Sequence, residues 1–152
     1  MLMNVRQLLF PIVVFLLFSC ESDPLVGKAK KDAEIFLKNV RTPERLINHP
    51  MMEPEGIPSS VAFQNKKRNL ENLKGSVNQL CGKSSNYKLA NTFKKIGEDG
   101  EKFIYLEYEY CQEITFVLGY ALRRDGVILH SIWPMNKEDR PEDMFQKEAN
   151  WN

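Results

Sequence analysis

The chain has 152 residues, room for one ordinary domain and too little for two. At 43% hydrophobic and 27% charged residues it lies outside the composition of disordered chains. Twenty-one Lys and Arg stand against twenty Asp and Glu, a balance that excludes any general attraction to nucleic acid or anionic lipid. No nucleic-acid partner is therefore expected, and the basic cluster Lys66-Lys67-Arg68 reads as a solvated helix face.

The N-terminus comes first in chain order. Arg6 supplies a positive charge, and Leu8 to Phe18 then reads LLFPIVVFLLF, an apolar run of eleven. A helix needs about 20 residues to cross a bilayer, so this run has the length of a signal-peptide core. It ends in Leu17-Phe18-Ser19-Cys20. This resembles the lipobox of bacterial lipoproteins, with a branched apolar residue three before the cysteine and a small residue just before it. Phe18 departs from the usual middle residue and fits only the more permissive forms of the motif.

The resemblance implies cleavage after Ser19 and lipidation of Cys20 with palmitate-class acyl chains. More than one chain gives stable anchoring. Residues 1–19 are then a signal peptide and 20–23 a lipidated cysteine with a short tether. By the sorting rule of enteric bacteria, Glu21 in place of Asp implies the outer membrane. The expected location is the cell envelope, lipid-anchored, on the periplasmic side or exposed at the surface.

With Cys20 taken by lipid, Cys81 and Cys111 remain. In an oxidising compartment two leftover cysteines commonly pair, so a disulfide is expected. Two buried free thiols or a metal pair are the alternatives. Neither cysteine has a His or Cys at ligand spacing, which leaves no metal site to name.

Ser22-Asp23-Pro24 reads as a helix start, a capping residue followed by Pro at the first helical position. Leu25, Ala29, Ala33, Phe36, Leu37 and Val40 follow at helical spacing, which predicts an amphipathic helix over 24–40. The tether reaches roughly 10 Å at ~3.5 Å per residue, so the domain is expected close to its membrane. Thr42-Pro43-Glu44 starts a short turn of helix through Ile47. The three prolines and glycine of His49 to Pro58 make a loop. His49, Met51 and Met52 offer soft ligands of the kind copper takes, but methionines covering a core edge are the simpler reading.

Ser59-Ser60 offers the next cap, and Phe63, Leu70, Leu73, Val77 and Leu80 place a helix over 60–81. Gly82 suits its C-terminal cap. Beyond it the period changes to two, and strands are predicted over 87–95, 102–113, 114–124 and 127–133. Gly97-Glu98-Asp99-Gly100 and Arg124-Asp125-Gly126 supply turns, the second with the Asp-Gly hairpin signal. Connections this short make the strands antiparallel. A turn or a bulge must fall near Gln112. The tail, 135–152, is charged, with Met144, Phe145 and Trp151 as its apolar residues, and reads as disordered or loosely helical.

The expected fold over 24–134 is α+β, with N-terminal helices on a curved four-stranded antiparallel sheet. Ile114 to Pro134, ITFVLGYALRRDGVILHSIWP, resembles the closing strands of the cystatin-like and NTF2-like superfamily. The resemblance implies a sheet whose concave face packs helix and leaves a pocket.

One conflict sits in the second strand. Ile104, Leu106, Tyr108 and Tyr110 share a face, and Tyr105, Glu107, Glu109 and Cys111 share the other. If Cys111 meets Cys81 on a helix, either a bulge lies near Cys111 or the strand end leaves the core and pairs at its rim. Glu107 and Glu109 otherwise read as a solvated face. His130 lies in the last strand between Ile128 and Ile132, and the candidate pocket is His130, Glu107, Glu109 and Tyr105.

No Gly-rich phosphate loop, Gly-x-Ser-x-Gly elbow or His-Glu-x-x-His helix is present, so no catalytic residues and no cofactor are assigned. Tyr87, Tyr105, Tyr108, Tyr110, Tyr120 and Trp133 suit binding better, since tyrosine tolerates a half-wet face. The expected function is a non-enzymatic envelope binding module for a protein or small ligand. A small-ligand carrier or NTF2-like pocket enzyme using His130 with Glu107 or Glu109 is the alternative, and a surface adhesin is the third.

Overall fold

A computed structural model describes residues 23–53 and 55–139. The expected signal peptide over 1–19, Cys20 and the tail residues Met144, Phe145 and Trp151 lie outside the described residues. The described elements are helices α1 (Pro24–Asn39), α2 (Pro43–Leu46) and α3 (Ser59–Cys81), then strands β1 (Tyr87–Ile96), β2 (Lys102–Tyr110), β3 (Ile114–Arg123) and β4 (Gly126–Asn136). A turn of 3-10 helix, Lys137–Asp139, follows. The strands form one antiparallel sheet in the order β1-β2-β3-β4. The fold is α+β, with helices packed on an open four-stranded antiparallel sheet.

Helix α1 begins where the Asp23 carboxylate accepts the Leu25 N–H at 3.0 Å, with Pro24 as its first residue. Its buried stripe is Val26, Ala29, Ala33, Phe36 and Leu37, the 3.6-residue period of a helix with one face inward. Leu25 packs at the margin of that stripe. Helix α3 starts one residue earlier than the serine pair implied. The Pro58 carbonyl accepts from Val61 and Ala62, and neither Ser59 nor Ser60 caps it.

The buried stripe of α3 is Ala62, Leu70, Leu73, Val77 and Cys81, which differs from the expected one. Phe63 and Leu80 are 46% and 45% exposed. Both stand one residue from a position that does face inward, a displacement of about 100° around a helix of 3.6 residues per turn.

The helices lie on one face of the sheet. The core joins Phe36, Leu37, Leu46, Leu70, Leu73 and Val77 to Ile104, Leu106, Tyr108, Tyr110, Phe116, Leu118, Tyr120 and Leu129. Strand β3, between two neighbours, is buried from Ile114 to Leu122 on both faces. One of its faces lies under the helices, and over the other the Tyr105, His130 and Ser131 side chains close in on Gly119.

Cys111 and Gln112 have φ of 50° and 71°, so β2 ends at Tyr110 and the chain turns sharply. The strand expected to run to Glu113 is therefore three residues shorter. The same turn resolves the alternation conflict: Cys111 has left the strand and meets the helix at the rim of the core. Cys81 and Cys111 stand at disulfide distance, with Cα atoms 5.6 Å apart. At the other end β4 continues past Trp133, pairing Met135 with Thr115 and Asn136 with Ile114. The first residues of the supposed tail thus belong to the sheet.

Candidate functional site

A cleft of about 500 Å3 opens between α3, from Ala62 to Ser76, the residues Met51, Met52, Glu53 and Ile57, and the edge strand β4. Leu70, Leu73, Leu129 and Ile132 supply apolar lining. Asn65, Asn69, Asn72 and Ser76 line it from α3 at spacings of four, three and four, which keeps them on one face of the helix. Size and lining are those of a ligand site: mostly apolar, with a few polar groups along one wall.

The cleft exists because of how the chain enters α3. Met51 forms a single parallel bridge with Leu129, and the Met52 N–H donates to the Leu129 carbonyl at 2.8 Å. The connection touches the edge of β4 there and then leaves it. Lys66 crosses back, donating from Nζ to the His49 carbonyl at 2.7 Å. Burial lowers the Lys66 ammonium from its ordinary value, and Glu53 acts in the opposite direction.

His49 is buried, and its Nε2 lies 2.9 Å from Asp32 Oδ2 on α1. Its ring also packs edge to face on Phe36. The Tyr120 hydroxyl is buried in the same region and makes no hydrogen bond of good geometry. Burial first, and the Asp32 carboxylate second, hold that phenol far above its ordinary value. His49 therefore joins the connection to α1. Met51 lines the cleft beside it and Met52 is exposed at its margin. Among the described residues, no group of three or more His, Cys, Asp or Glu is arranged to hold a metal ion.

Of the residues singled out in the sequence, His130 lines the cleft from β4, while Tyr105, Glu107 and Glu109 are not among its lining residues. A bulge between Gly119 and Tyr120 in the β3–β4 register inserts His130 as an extra residue. Leu129 stays on the helix side, while the His130 ring turns to the opposite face. There it packs edge to face on Phe103 and Tyr105, at 5.2 and 5.7 Å between ring centroids. Its expected neighbour Ile132 is across the sheet, lining the cleft. His130 touches the cleft because it belongs to the strand that forms one wall.

Tyr105 also stacks on Trp133, 5.7 Å between centroids, over Gly119. A Cβ on Gly119 would lie 2.2 Å from Ser131 Oγ, 2.8 Å from Tyr105 Cε1 and 2.9 Å from His130 Nε2, so this aromatic group closes only over glycine. Burial lowers the His130 imidazole pKa below its ordinary value, against an opposing pull from Glu101.

Glu107 and Glu109 share the Tyr105 face, each with a partner of its own. Glu107 is only 4% exposed, where a solvated face was expected, and its Oε2 accepts from Asn91 Nδ2 at 3.0 Å. Glu109 lies 3.8 Å from Lys137 Nζ. Among the described residues, His130 Nε2 and Ser131 Oγ are buried without a hydrogen-bond partner. The structure thus sets Tyr105 beside His130 and leaves both acids outside hydrogen-bond reach of that ring nitrogen.

The Asn65-Asn69-Asn72-Ser76 stripe was not identified from the sequence, although its spacing is visible there. Exposed amides on a helix carry no apolar period, and only the position of β4 opposite them makes a wall. No protein-family model matches the chain, and comparisons with curated proteins and with solved structures return no match. Among the described residues no helix is long and apolar enough to cross a membrane.

Proposed function

We propose that this chain is a bacterial lipoprotein, anchored in the cell envelope through lipid on Cys20, and a non-enzymatic binding module whose site is the cleft between α3 and β4. The observation that carries the binding reading is the cleft itself, with its apolar lining and the amide stripe along one wall. The lipobox-like Leu17 to Cys20 and the short tether support the anchor, and Glu21 supports the outer membrane. The element order, helices followed by an antiparallel meander, is in keeping with a cystatin-like or NTF2-like domain. The separation of His130 from Glu107 and Glu109 weighs against the pocket-enzyme reading, which needs a base and its partner within reach.

Two measurements test the two parts. Cys20→Ala should abolish palmitate labelling in cells; continued labelling would remove the anchor. For the cleft, the folded protein should enhance the fluorescence of the uncharged dye N-phenyl-1-naphthylamine, and Ile132→Arg should abolish the gain by placing a charge in the apolar lining. An unchanged gain in that variant would refute the cleft as the binding site.

A further inference from the structure

We infer that the cleft takes an uncharged amphiphile with a single alkyl chain, its hydrocarbon on the apolar lining and its hydroxyl or amide head at the asparagine stripe of α3. The inference rests on the cleft reading above and gives it a ligand class. Three observations point that way.

The first is how apolar and polar groups divide. Leu70, Leu73 and Leu129 line the cleft and are buried, with the half-buried Ile132 beside them. Asn69, Asn72 and Ser76 line the same cleft and are exposed, and Asn65 is half-buried. The floor is therefore hydrocarbon, and the α3 rim is amide and hydroxyl. A ligand that fills both has an apolar body and a polar head. Each asparagine amide carries donors and an acceptor, so it pairs with hydroxyl and amide groups alike.

The second is charge. Glu53 and Lys66, of opposite sign, are the acidic and basic side chains of the described lining. The Lys66 ammonium already donates to the His49 carbonyl at 2.7 Å, and the Glu53 carboxylate acts on it through space. A carboxylate or phosphate head needs cations gathered around it, and this lining offers one that is engaged. A neutral head needs none.

The third is shape. The lining follows α3 from Ala62 to Ser76, an advance of about 20 Å at ~1.5 Å per residue. A straight chain of roughly a dozen carbons, at ~1.5 Å per C–C bond, fits within that length. Phe, Tyr and Trp are absent from the described lining, and the His130 ring packs on Phe103 and Tyr105 across the sheet. A planar ring thus gains no stacking in the cleft. Met51 and Met52, unbranched and adaptable, suit a flexible chain.

The test compares monolaurin with laurate, which share one alkyl chain and differ in the head, a glycerol ester against a carboxylate. Both are used below their micelle concentrations to displace N-phenyl-1-naphthylamine from the purified full chain. Monolaurin should act at a concentration roughly tenfold lower than laurate. Asn69→Ala with Asn72→Ala should weaken monolaurin by about tenfold. Asn69→Lys should bring laurate level with monolaurin, because it sets a cation at the rim. Both asparagines are exposed, so the variants should melt with the wild type. Equal potency of the two compounds on the wild type would overturn the assignment. So would monolaurin indifferent to the paired alanines, or laurate unmoved by Asn69→Lys. The dye separates the two readings: if it binds and neither compound displaces it, the amphiphile inference falls and the cleft stands. If the dye does not bind, both fall.

Discussion

The C-terminal end of helix α3 is tied down on several sides. Val77 is fully buried, and Cys81 stands at disulfide distance from Cys111. The Arg41 guanidinium donates to Asn78 Oδ1 at 2.9 Å, to the Gly82 carbonyl at 2.6 Å and to the Ser84 carbonyl. The N-terminal end is held more loosely. Val61 and Phe63 are each 46% exposed, and the Lys66 bond to the His49 carbonyl is its main polar link to the connection. The cleft runs along the helix between these two ends, from Ala62 to Ser76.

Three perturbations can break or sharpen that contrast. The largest effect belongs to the firm end. Replacing Cys81 and Cys111 together by Ser should cost on the order of 3 kcal/mol, the value expected for a bond closing a loop of about 30 residues. It would be read as a lower urea midpoint than that of the oxidised wild type. Equal midpoints, with two free thiols counted in the denatured wild type, would remove the bond from the account.

His49→Ala comes next. It leaves the Asp32 carboxylate without its partner, and loss of one member of a buried polar pair costs about 2 kcal/mol. Thermal unfolding at neutral pH measures it, and an unchanged melting temperature would show that this joint holds nothing. The smallest effect belongs to the looser end, where Phe63→Ser should stay within about 0.5 kcal/mol, as for other exposed substitutions. A loss several times larger in the same denaturation assay would mean that this end packs as tightly as the other.

Much of the fold was legible because periodicity reports burial directly. Ala29, Ala33, Phe36 and Leu37 mark the inner face of α1 by spacing alone, and the alternation in β2 marks its helix-facing residues. The cysteine pair was expected for a different reason: an N-terminus read as an export signal leaves few uses for two thiols. The facing of His130 turned on a single extra residue. Strict alternation puts His130 with Ile132, but the bulge opposite Gly119 sends them to opposite faces. A bulge answers to the pairing of two strands, so neither strand announces it alone.

By itself the sequence determined the secondary elements, the antiparallel meander and the inner face of α1, because each follows from local propensity and the side-chain period. Only the tertiary structure decided the rest. It chose the turn at Cys111 over a bulge and buried Glu107 on a face that alternation leaves to solvent. It paired His49 with Asp32 and put the α3 amides opposite β4. Those outcomes depend on which segments meet across long separations in the chain, and contact of that kind has no period to read.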